Sequence, residues 1–132
     1  MDKRYSKVIL ANMCMVYKDD MILVQMRKKK DWPGLTFPGG HVENNETLEE
    51  SVIREIKEET GLTLKSLHLS GIKEWPREEN TRYLGFLYKS NDFEGEIISS
   101  KEGEVFWIKK EDINKYPLSL DFEELFEIIN NN

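Results

Sequence analysis

Residues 39–62, GGHVENNETLEESVIREIKEETGL, constrain this chain more than any other stretch. Thr47 followed three residues later by Glu50 is a capping-box signal, and Gly61 suits the left-handed position that ends a helix. A helix over 48–60 is therefore expected. At 100° per residue, Leu48, Val52, Ile53 and Ile56 form one apolar arc. Glu55, Glu58 and Glu59 form a second arc beside it. Glu55 faces Glu58 at i+3 and Glu59 at i+4, and like-charged neighbours of this kind cost about 0.2–0.5 kcal/mol per pair. Glu58 and Glu59 also stand in the last turn, where the helix dipole favours a cation. Bound positive charge offsets both penalties. Gly39-Gly40 supplies backbone able to approach a ligand closely, and Glu46 lies just ahead of the helix. Arg54, four residues before Glu58, is placed to orient that carboxylate by a forked hydrogen bond. Acidic helices are commonly plain solvated surface. The glycines, Glu46 and Arg54 in register point instead to a cage for divalent cations.

The remaining composition bounds what surrounds this segment. A chain of 132 residues argues one domain over residues 1–132, large enough to bury a real core. Net charge is −6, from 25 acidic and 19 basic residues, which argues against stable nucleic-acid binding. Cys14 is the single cysteine and sits in an apolar strand-like run, so it reads as a core thiol and excludes an internal disulfide. The charged start MDKRYSK enters a strand directly, with no signal peptide and no apolar run of membrane-spanning length. A cytoplasmic protein with no membrane partner is expected; a homodimer is left open.

Pattern places the elements. Lys7–Tyr17 and Met21–Met26 read as a hairpin turning at Lys18-Asp19-Asp20. Arg27–Lys30 is a basic run, and Trp32-Pro33-Gly34 a turn before a short strand, Leu35–Phe37. After the helix, Leu62–Lys73 alternates with one slip in period, which suggests a bulge. Arg77–Thr81 reads as a loop and Arg82–Lys89 as a strand. An extended piece is expected near Ile97-Ile98, a strand at Val105–Ile108 and a helical turn at Asp112–Lys115. A C-terminal helix is expected over Leu120–Asn130, with Asp121 as N-cap. Strands with helices interspersed, without strict alternation, indicate an α/β protein of the α+β kind.

The segment 40–62 resembles the Nudix box of the MutT-type hydrolases, Gly-x5-Glu-x7-Arg-Glu-U-x-Glu-Glu-x-Gly-U with U aliphatic. Gly40, Glu46, Arg54, Glu55, Ile56, Glu58, Glu59, Gly61 and Leu62 meet its fixed positions. Pro38-Gly39-Gly40 upstream and Glu104-x-x-Trp107 downstream are common companions of the box. The resemblance implies an α/β/α sandwich with a mixed sheet between helices. It also implies cleavage of nucleoside diphosphates linked to another moiety, with Mg²⁺ or Mn²⁺ as cofactor. Glu55, Glu58 and Glu59 are the metal-ligand candidates it implies, and the Gly40 carbonyl an extra ligand, since hard cations take backbone oxygens. Glu46 would be associated with the metal, and Arg54 would orient the glutamates.

Hydrolysis of a phosphoanhydride also needs a base for the attacking water. Glu59 is one candidate. Glu102 and Glu104 are others, with Glu104 favoured by its spacing to Trp107. For the substrate, Trp32 and Trp75 adjoin prolines and polar loops and are the better stacking candidates among Trp32, Phe37, Trp75, Tyr83 and Trp107. Arg27 and the basic run after it suit phosphates, His41 follows the box glycine, and Asn12 places an amide inside an apolar strand. A nucleoside triphosphate pyrophosphatase, acting on nucleotides such as 8-oxo-dGTP, is the leading reading for so compact a chain. Pro76 keeps ADP-ribose or a dinucleoside polyphosphate as an alternative. A non-catalytic ligand-binding module is a third reading, disfavoured by the complete set of box glutamates.

Overall fold

Strand β1 (Lys7–Lys18) is the spine of the molecule. Its alternate side chains enter two separate cores, as pleating requires: Cys14 and Val16 join one, Met15 the other. The structure, a computed structural model, describes residues 3–28, 33–76 and 79–132. A turn with Asp19 at φ 55° leads into β2 (Met21–Arg27), which pairs with β1 at Tyr17↔Ile22 and Lys18↔Met21. Beyond that hairpin end the two strands take different neighbours. β1 pairs antiparallel with β4 (Gly39–His41) and parallel with β7 (Thr81–Ser90). β2 pairs antiparallel with β3 (Gly34–Thr36) and β9 (Gly103–Lys109). β6 (His68–Pro76) flanks β7 and completes a mixed seven-stranded sheet. A small ladder joins β5 (Thr63–Leu64) to β8 (Phe93–Glu94).

One helix covers each face. Helix α1 (Leu48–Thr60) adds Val52 and Ile56 to the core of Cys14, Val16, Leu23, Tyr88 and Val105. Helix α2 (Phe122–Asn131) adds Phe122, Leu125 and Ile129 to the core of Met15, Ile22, Val24, Leu87 and Ile108. This is the α/β/α arrangement expected. Among the described residues no helix is long and apolar enough to cross a membrane.

Helix α1 has the bounds its caps dictate. Thr47 and Glu50 form the reciprocal capping box, and Gly61 closes the helix at φ 84° with its N–H on the Lys57 carbonyl. The apolar arc is narrower than the wheel suggests. Ile53 is exposed, while Ser51, Glu59 and Thr60 are buried with Val52 and Ile56, so the inward face is rotated toward the glutamates. The bulge in the segment after α1 falls between Leu69 and Gly71 of β6, with the separate strand β5 preceding it. The extended piece near Ile97-Ile98 forms no strand. The short strand is Phe93–Glu94, and the Ile98 N–H donates to the Thr60 carbonyl at the end of α1. Asp121 precedes α2 but its side chain does not cap it. At φ 66° it accepts a hydrogen bond from Trp75 Nε1 at 3.0 Å, because the half-buried indole needs an acceptor.

The capping box carries a testable cost. Thr47→Ala removes the acceptor for the Glu50 N–H and should destabilise the fold by about 1 kcal/mol, read as a lower thermal midpoint with the fold retained by circular dichroism.

Candidate active site

β4 and the box loop bring the backbone of Gly40 against α1. A Cβ at Gly40 would lie 2.5 Å from the Glu55 carboxyl carbon, and one at Gly39 would lie 2.2 Å from the Asn12 carbonyl oxygen. Glycine is needed at both positions for contact, since neither has an unusual φ. The tight seam places the box carboxylates beside the β1–β4 ladder.

Arg54 is the hub. Its Nε and a terminal nitrogen grip both oxygens of Glu46 at 3.0 and 2.8 Å. Its other terminal nitrogen reaches Glu55 at 3.0 Å and Glu58 at 3.3 Å, and the His41 carbonyl takes one more bond at 3.2 Å. The fork therefore closes on Glu46, not on Glu58 as the spacing alone suggests. Glu46 meets the Nε edge of the guanidinium with both oxygens, whereas Glu58 at i+4 presents one. The paired guanidinium and the Glu43 N–H hold Glu46 down to a pKa of about 2.

Glu59 lies on the other side of this balance. It is 7% exposed and accepts the Gly39 N–H at 2.8 Å. Burial, then the Glu55 charge, raise its pKa to about 8, against the lowering effects of the Gly39 N–H and Arg27; Glu102 adds to the rise. Burial also raises Glu55, with Arg54 opposing. A buried, crowded carboxylate of this kind favours either a proton or a cation.

Hard oxygen donors are what a divalent ion takes. Glu55, Glu58, Glu59 and the Gly40 carbonyl supply them, and the side-chain-free seam at Gly40 leaves room for nothing bulkier than backbone beside Glu55. Among the described residues no three acidic, His or Cys side chains already converge as a ligand set. The positive charge among them is the Arg54 guanidinium. The donor set fits a divalent ion that takes up part of that charge-balancing role.

Next to the seam, where β1 and β2 part, lies a cavity of about 490 Å³, within the range of small-molecule sites. Asn12, Gln25, Arg27, Phe37, Gly39, Gly40, His41, Trp75, Pro76 and Tyr83 are among its lining. Six of the sequence candidates for substrate contact, Asn12, Arg27, Phe37, His41, Trp75 and Tyr83, thus share one wall system. Trp32, Lys29 and Lys30 lie outside the described residues. Tyr83 joins two of the lining side chains, meeting Trp75 edge-on at 5.8 Å and bonding His41 Nε2 at 2.9 Å. Trp107 stacks on Phe93 against the α1 core, away from this cavity, and Phe37 stacks on Phe122 at 4.7 Å. Gln25, missed by sequence reading, is 2% exposed and lines the cavity. A lone glutamine in a buried strand was the available signal.

Glu102 and Glu104 differ in setting, one before β9 and one within it. Glu104 pairs with Met26 and shares its face of β9 with Phe106 and Ile108, the α2 side. Val105 and Trp107 face the α1 side. Glu102 precedes the strand, and its charge reaches Glu59.

With this geometry in place, comparison with known proteins identifies the class. The NUDIX domain family matches residues 8–127, and the chain belongs to it: it is a Nudix hydrolase acting on nucleotides. It is 36% identical over 118 residues to an ADP-ribose pyrophosphatase of Methanocaldococcus jannaschii, covering 85% of this chain and 67% of that protein. It is 30% identical over 115 residues to an oxidized purine nucleoside triphosphate hydrolase of Danio rerio, covering 83% and 70%. The crystal structure of a MutT protein from Bacillus halodurans superposes with a TM-score of 0.76 at 29% identity, covering 91% of this chain and 79% of that one.

The buried carboxylate yields a pH test. With its pKa raised from 4.5 to about 8, Glu59 favours the fold fully below about pH 4.5 and withdraws that contribution as pH rises toward 8. Metal-free protein should therefore melt progressively lower from pH 4.5 to 8, and Glu59→Gln should flatten that slope. Glu46, with its lowered pKa, acts with the opposite sign and below pH 4.5, so the two windows are separable by melting in EDTA. An unchanged slope in Glu59→Gln would contradict the burial argument.

Proposed function

We propose that this Nudix hydrolase uses Mg²⁺, with Mn²⁺ able to replace it, to cleave a nucleoside triphosphate to the monophosphate and pyrophosphate, oxidised purine nucleotides of the 8-oxo-dGTP kind included. One observation carries the reading: Gly39 and Gly40 line the base-sized cavity and also touch the carboxylates, through the Gly39 N–H on Glu59 and the Gly40–Glu55 seam. A nucleoside held in the cavity has its phosphates over the box. The kinship to an oxidized purine nucleoside triphosphate hydrolase supports it.

In this reading Glu55, Glu58, Glu59 and the Gly40 carbonyl hold the metal, which supplies neutralisation of phosphate charge when bound. Arg54 and Glu46 position the glutamates. Arg27, on the cavity wall, meets phosphate. Trp75 stacks on the base, and His41 stands at the phosphate end. An attacking water passes its proton to a carboxylate, and Glu102 suits that role better than Glu104, since its charge is the one that reaches Glu59. A second reading, hydrolysis of ADP-ribose, is favoured by the 36% identity to an ADP-ribose pyrophosphatase and by Pro76 on the cavity rim. Chromatography of products from a panel of nucleoside triphosphates, 8-oxo-dGTP, dinucleoside polyphosphates and ADP-ribose with Mg²⁺ decides between the two.

Replacing a charged ligand removes several kcal/mol of transition-state stabilisation, and each 1.36 kcal/mol is tenfold. Glu58→Gln and Glu59→Gln should each lower turnover by at least ~10²-fold on the best substrate, with the fold kept; near-normal turnover at saturating Mg²⁺ would remove them from the metal site. Glu102→Gln should lower kcat well below wild type with KM little changed, while Glu104→Gln should leave kcat within about threefold. Equal small effects would return the base to Glu59.

A further inference from the structure

Two nearly inaccessible amides line the cavity, and each has one atom unsatisfied. Asn12 is 5% exposed and Gln25 2%. Asn12 Oδ1 and Gln25 Nε2 have no hydrogen-bond partner among the described residues, nor has Arg27 Nε on the same lining. A buried polar atom left without a partner costs about 1–3 kcal/mol, so three on one cavity mark a place where a ligand completes the pairing. Oδ1 only accepts, so its partner must be an N–H or O–H. Gln25 Nε2 and Arg27 Nε only donate, so theirs must be acceptors. A nucleobase with an N–H beside a ring nitrogen or carbonyl offers both, and the aromatic edges of Trp75 and Tyr83 suit its faces.

The other end of the Asn12 amide leads away from the cavity. Its Nδ2 donates to Ser51 Oγ at 2.6 Å. Ser51 is fully buried on α1, one turn before Glu55. Arg54, on the same helix, grips Glu46 along one edge and holds Glu55 and Glu58 with its other terminal nitrogen. The Ser51 oxygen accepts from the amide Nδ2, which leaves Oδ1 as the unpartnered atom. This sets which amide atom faces the cavity.

Resting on the nucleotide-hydrolase reading, we propose that Asn12 joins base recognition to placement of the box helix: its Oδ1 accepts an N–H of the base, while its Nδ2 holds Ser51 and, through it, α1 against β1. Asn12 is thus a specificity residue, and Ser51 a positioning residue that touches no substrate. An amide is suited to the task because one end accepts while the other donates. Leucine of similar size would do neither.

The test separates the two ends. Purine riboside lacks the amino and N1–H donors of adenine and guanine. Binding of AMP, GMP, 8-oxo-GMP and purine riboside monophosphate to the wild-type protein is measured by calorimetry. At least one of the first three should bind about tenfold or more tighter than purine riboside monophosphate. The preference should fall to within about twofold in Asn12→Ala. Ser51→Ala should keep the preference, because the cavity wall is intact, yet lower kcat about three- to tenfold with KM unchanged on the corresponding triphosphate, or on ADP-ribose if that is the substrate. If both act through one chain, Asn12→Ala with Ser51→Ala should cost little more in kcat than the greater of the single changes. No preference in the wild type, a preference retained by Asn12→Ala, an unchanged kcat in Ser51→Ala, or additive losses in the double variant would each overturn the proposal. The binding arm needs neither turnover nor a variant that folds. A protein that hydrolyses none of the substrates but shows the base preference refutes the proposed reaction and leaves recognition by Asn12 standing.

Discussion

The seam between β4 and α1 is the contact on which the rest of the site depends. Gly40 meets the Glu55 carboxyl group with no space for a Cβ, and Gly39 lies as tightly on the Asn12 carbonyl. Close approach of backbone to carboxylate does two things at once. It puts the Gly39 N–H on Glu59, and it makes one wall of the cavity. A side chain at Gly39 would strike the β1 backbone, and one at Gly40 would displace the Glu55 carboxylate.

Charge is arranged around this seam in two tiers. Glu46, Glu55 and Glu58 share Arg54, so their mutual repulsion is met within the protein. Glu59, buried beneath them, takes a backbone N–H instead and carries the strongly raised proton affinity. The acidic arc is thus not uniformly strained: the repulsion that helix spacing implies is concentrated on one side chain. A carboxylate that is costly to ionise alone and inexpensive to ionise beside a cation couples metal binding to local stability.

The cavity owes its existence to topology. β1 and β2 pair at their hairpin end and then turn to different neighbours, β1 to β4 and β7, β2 to β3 and β9. The space between the diverging strands is lined by residues that are far apart in sequence. Such a gap in a sheet would ordinarily fill with apolar side chains. Here the inserted Asn12, Gln25 and Arg27 keep it polar at cost to the fold, as a recognition site requires.

Local features are legible in the chain alone. The capping box and Gly61 set the ends of α1, because caps are satisfied within a few residues. The spacing of Gly40, Glu46, Arg54, Glu55, Glu58 and Glu59 defined the acidic cluster, because helix geometry places i+3 and i+4 neighbours together. Strand alternation gave the hairpin and the slip in β6. Tertiary structure decided everything that rests on contacts between distant segments. It gave the Arg54 fork to Glu46 and turned Glu59 inward while leaving Ile53 out. It took Asp121 from capping α2 to accept from Trp75. It placed Glu104 within β9 on the α2 side and left Glu102 in the turn before that strand, and it brought Asn12 and Gln25 to one cavity. A local pattern states which faces a segment has. Which neighbour each face meets depends on how β1 and β2 diverge, and no short-range spacing encodes that.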